Sequence, residues 1–472
     1  MTNQWRTPDR IRLMLNGLGL LIFLGFAIYL EEPHDHKPVA GKCELRELND
    51  VEGAETYAKV VTSGYRDVRS RRVTVIAFKE NSDPARVLNN VCEQRWYIAR
   101  LIPLLASNGA TAIVFDKFFG PTSCDKDDPA TTDFITAVKT STVPIVAGLA
   151  SHVPESDPQN ACLIVSDSLD FGNKSDANGT PTNQPAMQTG LIRLNSDTRK
   201  VPLNWFSYEN DEAFNAGREP SDARYGTLSW ITATLVDKEL KNEPELERLR
   251  ASGQHPFTSF ISPDALSRAD ALSLLCASPR VRPEIESRYG VNCAEHPATD
   301  AEILGRVIVI GEDIPGRDRH TLFGNDVSGV YLQANYIESL LDGRYLRTFG
   351  AGWNYTIFVL WVGCLYLLFW IQPEVGLALS LLVGVFARYL IVQLVMWKGI
   401  YPQVWVQELG GLFLVLKYIE SRGHRIVDAM KERQHDQPLE QPPAEQPPQQ
   451  QRVGQPPEQT KSGLRSEQPP AA

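Results

Sequence analysis

The middle of the chain alternates between short apolar runs and longer stretches with helical periodicity. The apolar runs, several of them rich in β-branched residues, are typical of strands buried on both faces of a parallel sheet. The strand candidates are residues 73–78, 110–115, 143–149 and 306–310. The helix candidates are residues 90–106, 129–140, 228–240 and 329–341. This order predicts an α/β fold, a mostly parallel sheet with right-handed crossovers and helices on both faces.

Two parts of this region have a weaker pattern. Residues 191–194 and 201–206 are apolar and flank the polar residues 195–200, which predicts a hairpin or two neighbouring strands. Residues 242–301 are rich in charge and proline and contain short helical patches. We expect this second interval to be an insertion that caps one edge of the sheet.

Four longer apolar segments predict transmembrane α-helices, because each approaches the length that crosses a bilayer core. They are residues 13–30, 352–371, 375–397 and 402–419. Arg6, Arg10 and Arg12 precede the first segment and acidic residues follow it, so the positive-inside rule places residues 1–12 in the cytoplasm and residues 31–351 outside it. A cleaved signal peptide is the alternative, but this apolar core is longer than usual and lacks a small-x-small cleavage site.

The C-terminal part supports the same topology. Residues 420–433 have an excess of Lys and Arg, which places the C-terminus in the cytoplasm. Residues 434–472 repeat Gln-Pro-Pro, and we expect this tail to be disordered, with no cytoplasmic output domain. The predicted location is the bacterial inner membrane, with several spans, both termini in the cytoplasm and the large domain in the periplasm or outside the cell.

Charge and cysteine content limit the possible chemistry. The net charge of −10 argues against a nucleic-acid partner. Six of the seven cysteines lie between the first two apolar segments, which fits disulfides in an oxidising compartment, although scattered buried thiols are the alternative. Six cysteines allow fifteen pairings. We expect Cys276 to pair with Cys293, because they bracket a local Pro-rich loop, and no paired CxxC spacing predicts a metal or cofactor.

The stretch 306–347 carries a resemblance to a known family. Its marks are VIVIG at 307–311, Asp318, His320, Gly324, Gly329, Ala334-Asn335 and the final Leu-Asp-Gly-Arg-Tyr-Leu. Together with residues 104–119 and 193–203, they make residues 73–416 resemble the second CHASE family, the type-two cyclase- and histidine-kinase-associated sensory extracellular domain. The resemblance implies an exported sensory domain. Lys79 and Glu80 replace the acidic pair and Trp-Pro turn of many relatives, and relatives usually precede a cytoplasmic signalling domain.

Polar residues follow several predicted strands, where an open parallel sheet normally binds ligands. The candidates are Asp116, Asp313, Arg317, Asp318, His320 and Asn335. We hypothesise that they form a sensory pocket for an unknown small polar ligand or a cation. In the alternative interpretation, Asp318 and Asn335 cap loops and helix ends, and His320 is a structural hydrogen-bonding residue.

One pair of charges is predicted inside the membrane. Arg388 lies well inside the third span, and a buried cation needs a partner. Glu408 on the fourth span reaches nearly the same depth, so we predict an Arg388–Glu408 pair, within one chain or across a dimer. Alternatively, the third span ends early and Arg388 faces headgroups or water.

Three functional classes fit these patterns. The favoured class is a membrane-anchored extracytoplasmic sensor that relays conditions to a separate partner. A structural or envelope-organising membrane protein is the second. An exported enzyme is the third and has weaker support, because GxSxG, HExxH and P-loop motifs are absent. The expected partners are the lipid bilayer, a second copy or a separate signalling protein, and a small ligand.

Overall fold

The structure of the chain is a computed structural model that describes most of residues 62–348. The gaps are residues 63, 81, 122–123, 126, 153–162, 176–179, 196, 219–224, 252–254 and 298–301, and short pieces at 360, 400–401, 426–427 and 430–431 are also described. Nearly all of the four predicted spans, Arg388, Glu408 and residues 434–472 lie outside the described residues. Among the described residues, no helix combines the length and the apolar character that a bilayer crossing needs.

The strands are β1 (Val73–Phe78), β2 (Ala112–Phe118), β3 (Ile145–Leu149), β4 (Ser151–His152), β5 (Leu163–Val165), β6 (Asn173–Ser175), β7 (Pro181–Pro185), β8 (Gln188–Leu191), β9 (Ser207–Tyr208), β10 (Ser267–Ala269), β11 (Val307–Glu312), β12 (Arg319–Leu322), β13 (Asn325–Ser328), β14 (Arg347–Thr348) and β15 (Ile400–Tyr401). The α-helices are α1 (Ala85–Asn89), α2 (Val91–Ser107), α3 (Pro129–Lys139), α4 (Asp211–Asn215), α5 (Leu228–Val236), α6 (Pro244–Ala251), α7 (Ala271–Ala277), α8 (Arg282–Tyr289) and α9 (Gly329–Leu341). Short 3-10 helices cover Lys238–Asn242, Pro263–Ala265 and Cys293–Glu295.

Six strands form the central sheet in the order β10-β1-β11-β2-β3-β8. Every neighbouring pair in this sheet is parallel, as predicted. All six residues of β1 are buried, which explains why the β-branched runs lack polar alternation. The edge strand β10 comes from residues 242–301, so the interval expected to cap the sheet also contributes one of its strands.

Two apolar layers cover the two faces of the sheet. Alternate residues of each strand point to opposite faces, so Ile308 and Ile310 contribute to one core and Val307 and Val309 to the other. The first core includes residues of α2, α3 and α7, and the second includes residues of α5, α6 and α9. The predicted arrangement of a mostly parallel sheet with helices on both faces is therefore confirmed.

The hairpin or strand pair predicted for residues 191–206 is wrong. Residues 188–191 instead form the parallel edge strand β8 beside β3. The following apolar residues bond to other segments, because Val201 N donates to Pro256 O at 2.8 Å and Thr227 N donates to Leu203 O at 3.0 Å. The apolar pattern predicted correctly that these residues are buried, but it did not show which segments their backbone groups would bond to.

Two disulfides join elements on the α2 side of the sheet. Cys276 pairs with Cys293, as the sequence led us to expect, and Cys92 pairs with Cys124. The first closes a loop with a sequence separation of 17, and the second one of 32. By loop-closure entropy, each stabilises the fold by about 3–4 kcal/mol.

Candidate ligand-binding site

A cavity of about 340 Å³ lies where the strands β2 and β11 end and α9 begins. This is the carboxyl edge of the parallel sheet, at which open α/β folds bind their ligands. The cavity is lined by Asp116, Lys117, Ile192, Leu194, Glu312, Asp318, Gly329 and Gln333. Its volume matches the lower end of small-molecule pockets.

A bulge in β2 supplies two of these residues. Phe115 pairs with Ala147 of β3 and Phe118 pairs with Gly148, so Asp116 and Lys117 are left out of the ladder. Bulges re-aim side chains and are common next to functional sites. Here the bulge places two neighbouring strand residues, the acidic Asp116 and the basic Lys117, at the cavity.

The hairpin of β12 and β13 positions Asp318. Its two-residue turn is Phe323-Gly324, with φ of 53° and 77°, which is the combination found in type I′ turns. Asp318 itself has φ of 44°, a left-handed conformation, and its carbonyl accepts from Gly329 N at 3.0 Å. A Cβ at position 329 would overlap the Asp318 carboxylate, so the start of α9 and this side chain fit together only with glycine.

Glu312 ends β11 and is held by donors from three elements. Lys117 Nζ lies 2.6 Å and Gln94 Nε2 3.1 Å from its Oε1, and Arg317 Nη1 lies 3.8 Å from its Oε2. Burial alone would raise the pKa of Glu312, but the charge of Lys117 and these hydrogen bonds outweigh it and lower the pKa. Glu312 is therefore ionised and paired, and it holds Lys117.

Asp116 is in a different situation. It forms neither a hydrogen bond nor an ion pair with any other residue that the structure describes. Burial, followed by the nearby charges of Asp318 and Glu312, raises the pKa of Asp116 to about 8. At neutral pH this carboxyl group is mostly protonated, because burial and then the two neighbouring carboxylates disfavour its charged form.

Three further predicted residues lie beside the cavity. His320 Nε2 is 2.9 Å from Asp318 Oδ1, and Arg317 contacts Glu312 and donates to Leu88 O at 3.5 Å. Asp313 points to a separate group of partners, which are Lys79 at 3.8 Å, Arg319 at 3.3 Å and the Tyr331 hydroxyl at 3.0 Å. The three residues hold the hairpin in place through these contacts, but they do not line the cavity.

Asn335 serves a structural role instead of the expected place in the pocket. Its Oδ1 accepts from Ile261 N at 2.8 Å, and its Nδ2 donates to Ile261 O at 3.2 Å and Tyr331 O at 3.1 Å. Asn335 lies between one and two turns beyond Gly329, so it has moved away from the sheet edge. It is 2% exposed and ties α9 to the neighbouring segment.

Sequence reasoning missed six residues that line the cavity. Glu312 and Lys117 each adjoin a predicted residue, and the signal that could have found them was this adjacency at a strand end. Gly329 and Gln333 share one face of α9, four residues apart, and a search along the helix start would have found them. Ile192 and Leu194 carried no such signal, because their position depends on how the chain leaves β8.

Metal-ligand geometry points elsewhere in the described part of the chain. Ligand atoms of Cys92, Cys124 and Asp128 lie within 4.8 Å of one another. Both of these sulfurs already form a disulfide, so the group does not offer thiolate ligands. The carboxylates of the cavity do not form a comparable group among the described residues.

Comparison with known proteins adds one finding. The profile of the CHASE2 domain matches residues 54–371 of the chain. This interval contains all eight residues that line the cavity. No significant match is found among curated proteins or among solved structures.

Proposed function

We propose, from the premise that this chain belongs to the CHASE2 family of extracellular sensory domains, that it senses a small ligand in the cavity at the sheet edge. A signal-transduction subunit of this kind would relay the ligand's presence to a separate partner. The observation that carries the proposal is the cavity itself, in which Asp116 lacks any partner among the described residues and three carboxyl groups stand together. A carboxyl group in a cavity whose pKa is strongly raised by burial and neighbouring carboxylates is a candidate for a functional site.

Helix α9 connects the cavity with the opposite edge of the sheet. Its first residue, Gly329, lines the cavity, and its 13 residues extend about 20 Å. Near its other end, the buried carboxylate of Glu338 accepts from Arg71 N at 2.7 Å, Arg72 N at 3.1 Å and Ser70 Oγ at 2.8 Å. A ligand that moves the start of α9 therefore acts on an element that holds the segment leading into β1.

The chain segments before β1 and after α9 meet at one short stretch. Phe260 O accepts from Arg66 N at 2.7 Å, and Phe257 O accepts from Leu346 N at 2.7 Å. Residues 257–260 thus contact both the incoming and the outgoing chain. In the proposed topology, these segments lead to the first and second membrane spans, so a shift of α9 reaches both.

The membrane part of the proposal follows from the sequence. We propose that residues 13–30, 352–371, 375–397 and 402–419 span the inner membrane, with an Arg388–Glu408 pair between the third and fourth spans. The relay then acts on a second copy of the chain or on a separate signalling protein. Catalysis is not part of the proposal.

The proposal is tested by comparing gene expression in four strains. They carry the wild-type chain, a deletion, Asp318→Ala and the exposed control Asp326→Ala on the same hairpin. We expect Asp318→Ala to reproduce the expression changes of the deletion while the protein still accumulates and folds, with a somewhat lower melting temperature because alanine fits the left-handed backbone at position 318 less well. Wild-type expression in a strain with folded Asp318→Ala protein would contradict a sensory cavity.

Crosslinking in native membranes tests the relay. The proposal expects the same partner to be captured by the wild-type chain and by Asp326→Ala, and a reduced yield with Asp318→Ala. Equal capture by the wild type and both variants would favour an envelope-organising protein that binds partners without sensing.

A further inference from the structure

The cavity has more negative than positive side chains. Asp116, Glu312 and Asp318 line it together with the single ammonium of Lys117. Lys117 is committed to Glu312, with 2.6 Å between Nζ and Oε1. Asp116 and Asp318 have no Lys or Arg partner among the described residues, and the Asp318 carboxylate pairs there only with the imidazole of His320, so the cavity favours a cationic ligand over an anionic one.

Gln333 gives a second, independent indication of a missing group. Its side chain lines the cavity, and the residue is only 1% exposed. The amide nitrogen donates to Ile192 O at 3.3 Å, but the amide oxygen Oε1 has no hydrogen-bond partner in the described part of the chain. A buried acceptor without a donor costs about 1–3 kcal/mol, and an N–H group of a ligand would satisfy it.

The remaining wall indicates the rest of the ligand. Ile192 and Leu194 also line the cavity, and their apolar side chains can cover hydrocarbon. A divalent metal ion would gain nothing from these apolar side chains, because it is bound by oxygen ligands. The cavity carboxylates also do not bring their oxygens together within 4.8 Å, as three ligands of one ion would require among the described residues.

We propose that the cavity binds a small organic amine, with its ammonium group beside Asp116 and Asp318, an N–H toward Gln333 and its hydrocarbon part against Ile192 and Leu194. This inference rests on the proposed function and adds the chemical class of the ligand. It assigns a use to two cavity groups without a hydrogen-bond partner among the described residues, the Asp116 carboxyl and the Gln333 amide oxygen. Lys117 and Glu312 then serve as the fixed polar frame of the site.

Binding of a cation in this cavity should release a proton from Asp116. Asp116 is faced by Asp318 from the hairpin loop and by Glu312 from β11, whose charge is balanced by Lys117 and Arg317, and His320 contacts Asp318. Burial and the two neighbouring carboxylates hold the pKa of Asp116 at about 8. An ammonium group beside it lowers this pKa, so amine binding at pH 7 releases up to about one proton.

The test is calorimetric titration of the full chain in lipid nanodiscs. The probes are n-butylamine, 1,4-diaminobutane, butan-1-ol with the same hydrocarbon and no charge, and the chlorides of Mg²⁺ and Ca²⁺. We expect saturable binding of at least one amine, at least tenfold weaker in Asp318→Asn, and none of butan-1-ol. Asparagine tolerates the left-handed backbone at position 318, so this variant keeps the loop conformation. Asp326→Asn is the matched control and should bind like the wild type.

Repeating the titration at pH 7 in two buffers of different ionisation enthalpy measures proton release. Asp116→Asn should abolish the release, which gives a second variant if Asp318→Asn fails to fold. Absence of amine saturation, equal affinity in Asp318→Asn, or metal binding that depends on Asp318 without amine binding would each overturn the inference. If no amine binds but a folded Asp318→Ala protein still reproduces the expression changes of the deletion, the proposed sensory cavity is retained and only the proposed ligand class is rejected.

Discussion

Gly329 and Asp318 touch so closely that any side chain at position 329 would occupy the space of the Asp318 carboxylate. The contact joins the first residue of α9 to the loop before β12, and the Gly329 amide donates to Asp318 O at 3.0 Å. We predict that Gly329→Ala lowers the free energy of unfolding by about 1–3 kcal/mol, because the crowded side chain must move. The same change should weaken ligand binding at least tenfold, which titration and urea unfolding measure together.

A second glycine provides the control for this prediction. A Cβ at Gly64 would meet nothing within 4 Å. Gly64→Ala should therefore leave the free energy of unfolding and the ligand affinity unchanged within error. If Gly329→Ala behaved like Gly64→Ala in both measurements, the contact with Asp318 would not shape the cavity.

The strand β1 and the helix α9 agree with the sequence prediction at both ends. Their signals are local, since β1 is a β-branched run buried on both faces and α9 ends at Asp342-Gly343, where Gly343 has φ of 63°. The strand β2 is different, because it was predicted to end at Phe115 and continues to Phe118. The bulge that places Asp116 and Lys117 depends on pairing with β3, which periodicity does not show.

The sequence predicted only those residues of the candidate site that directly follow a strand or lie in the loop after it. Asp116 and Asp318 were placed correctly at the carboxyl edge, because parallel strands deliver their ends to one place. Asn335 was misplaced since its helix turns it toward Ile261. Ile192 and Gln333 meet at the cavity through long-range packing, and a single sequence carries no record of which distant residues become neighbours.

The Asp116 carboxyl predicts a pH dependence of stability. Its pKa is about 8 in the folded chain, against an ordinary value of 3.8 for an aspartate, so the folded state binds the extra proton between these two values. The stability contribution is fully present below the lower value and is lost as the pH rises through the higher one. The free energy of unfolding should fall with pH in this window, by at most about 1.4 kcal/mol per pH unit from this group.

Asp116→Asn should remove this slope, because the amide does not ionise. We expect the variant to match the wild type near pH 4 and to become progressively more stable than the wild type up to pH 8. Urea unfolding at four pH values, compared as the difference between the two proteins, cancels the other titrating groups. A difference that stays constant across the window would contradict the burial of Asp116 beside Asp318 and Glu312.

We predict a large loss of stability when Arg95, a buried residue away from the cavity, is replaced. This guanidinium is 0% exposed and donates to Gly120 O at 2.7 Å and Thr131 Oγ1 at 2.9 Å, so it ties α2 to the loop after β2. Arg95→Met should lower the free energy of unfolding by about 3 kcal/mol, since these acceptors lose their donor in a buried place. Arg95→Lys should recover only part of the loss, because an ammonium cannot reproduce the planar fork.

Arg100 on the same helix is the matched control for Arg95. It is partly exposed and pairs with Asp133 at 2.9 Å and Glu284 at 3.0 Å. Exposed ion pairs of this kind contribute about 0–1 kcal/mol, so Arg100→Met should cost much less than Arg95→Met. Equal costs for the two variants would show that burial is not the reason for the Arg95 effect.

Glu338 gives the prediction that bears on signal relay. Its buried carboxylate accepts from the amides of Arg71 and Arg72 and from the Ser70 hydroxyl, so one side chain of α9 holds the segment that enters β1. Glu338→Ala removes all of these acceptors and should lower the free energy of unfolding by about 3–5 kcal/mol. Glu338→Gln keeps one oxygen as an acceptor and should cost less than half as much.

Hydrogen exchange separates a local release of this segment from general unfolding. In Glu338→Gln, we expect the amides of residues 71 and 72 to exchange at least tenfold faster, while the buried amides of β11 exchange at the wild-type rate. The affinity of the cavity for an amine should stay within twofold, because Glu338 lies near the far end of α9, about 13 Å from Gly329. The expression response should nevertheless fall, since the helix no longer holds the incoming chain. A folded Glu338→Gln protein that binds amines and responds like the wild type would exclude α9 as the relay.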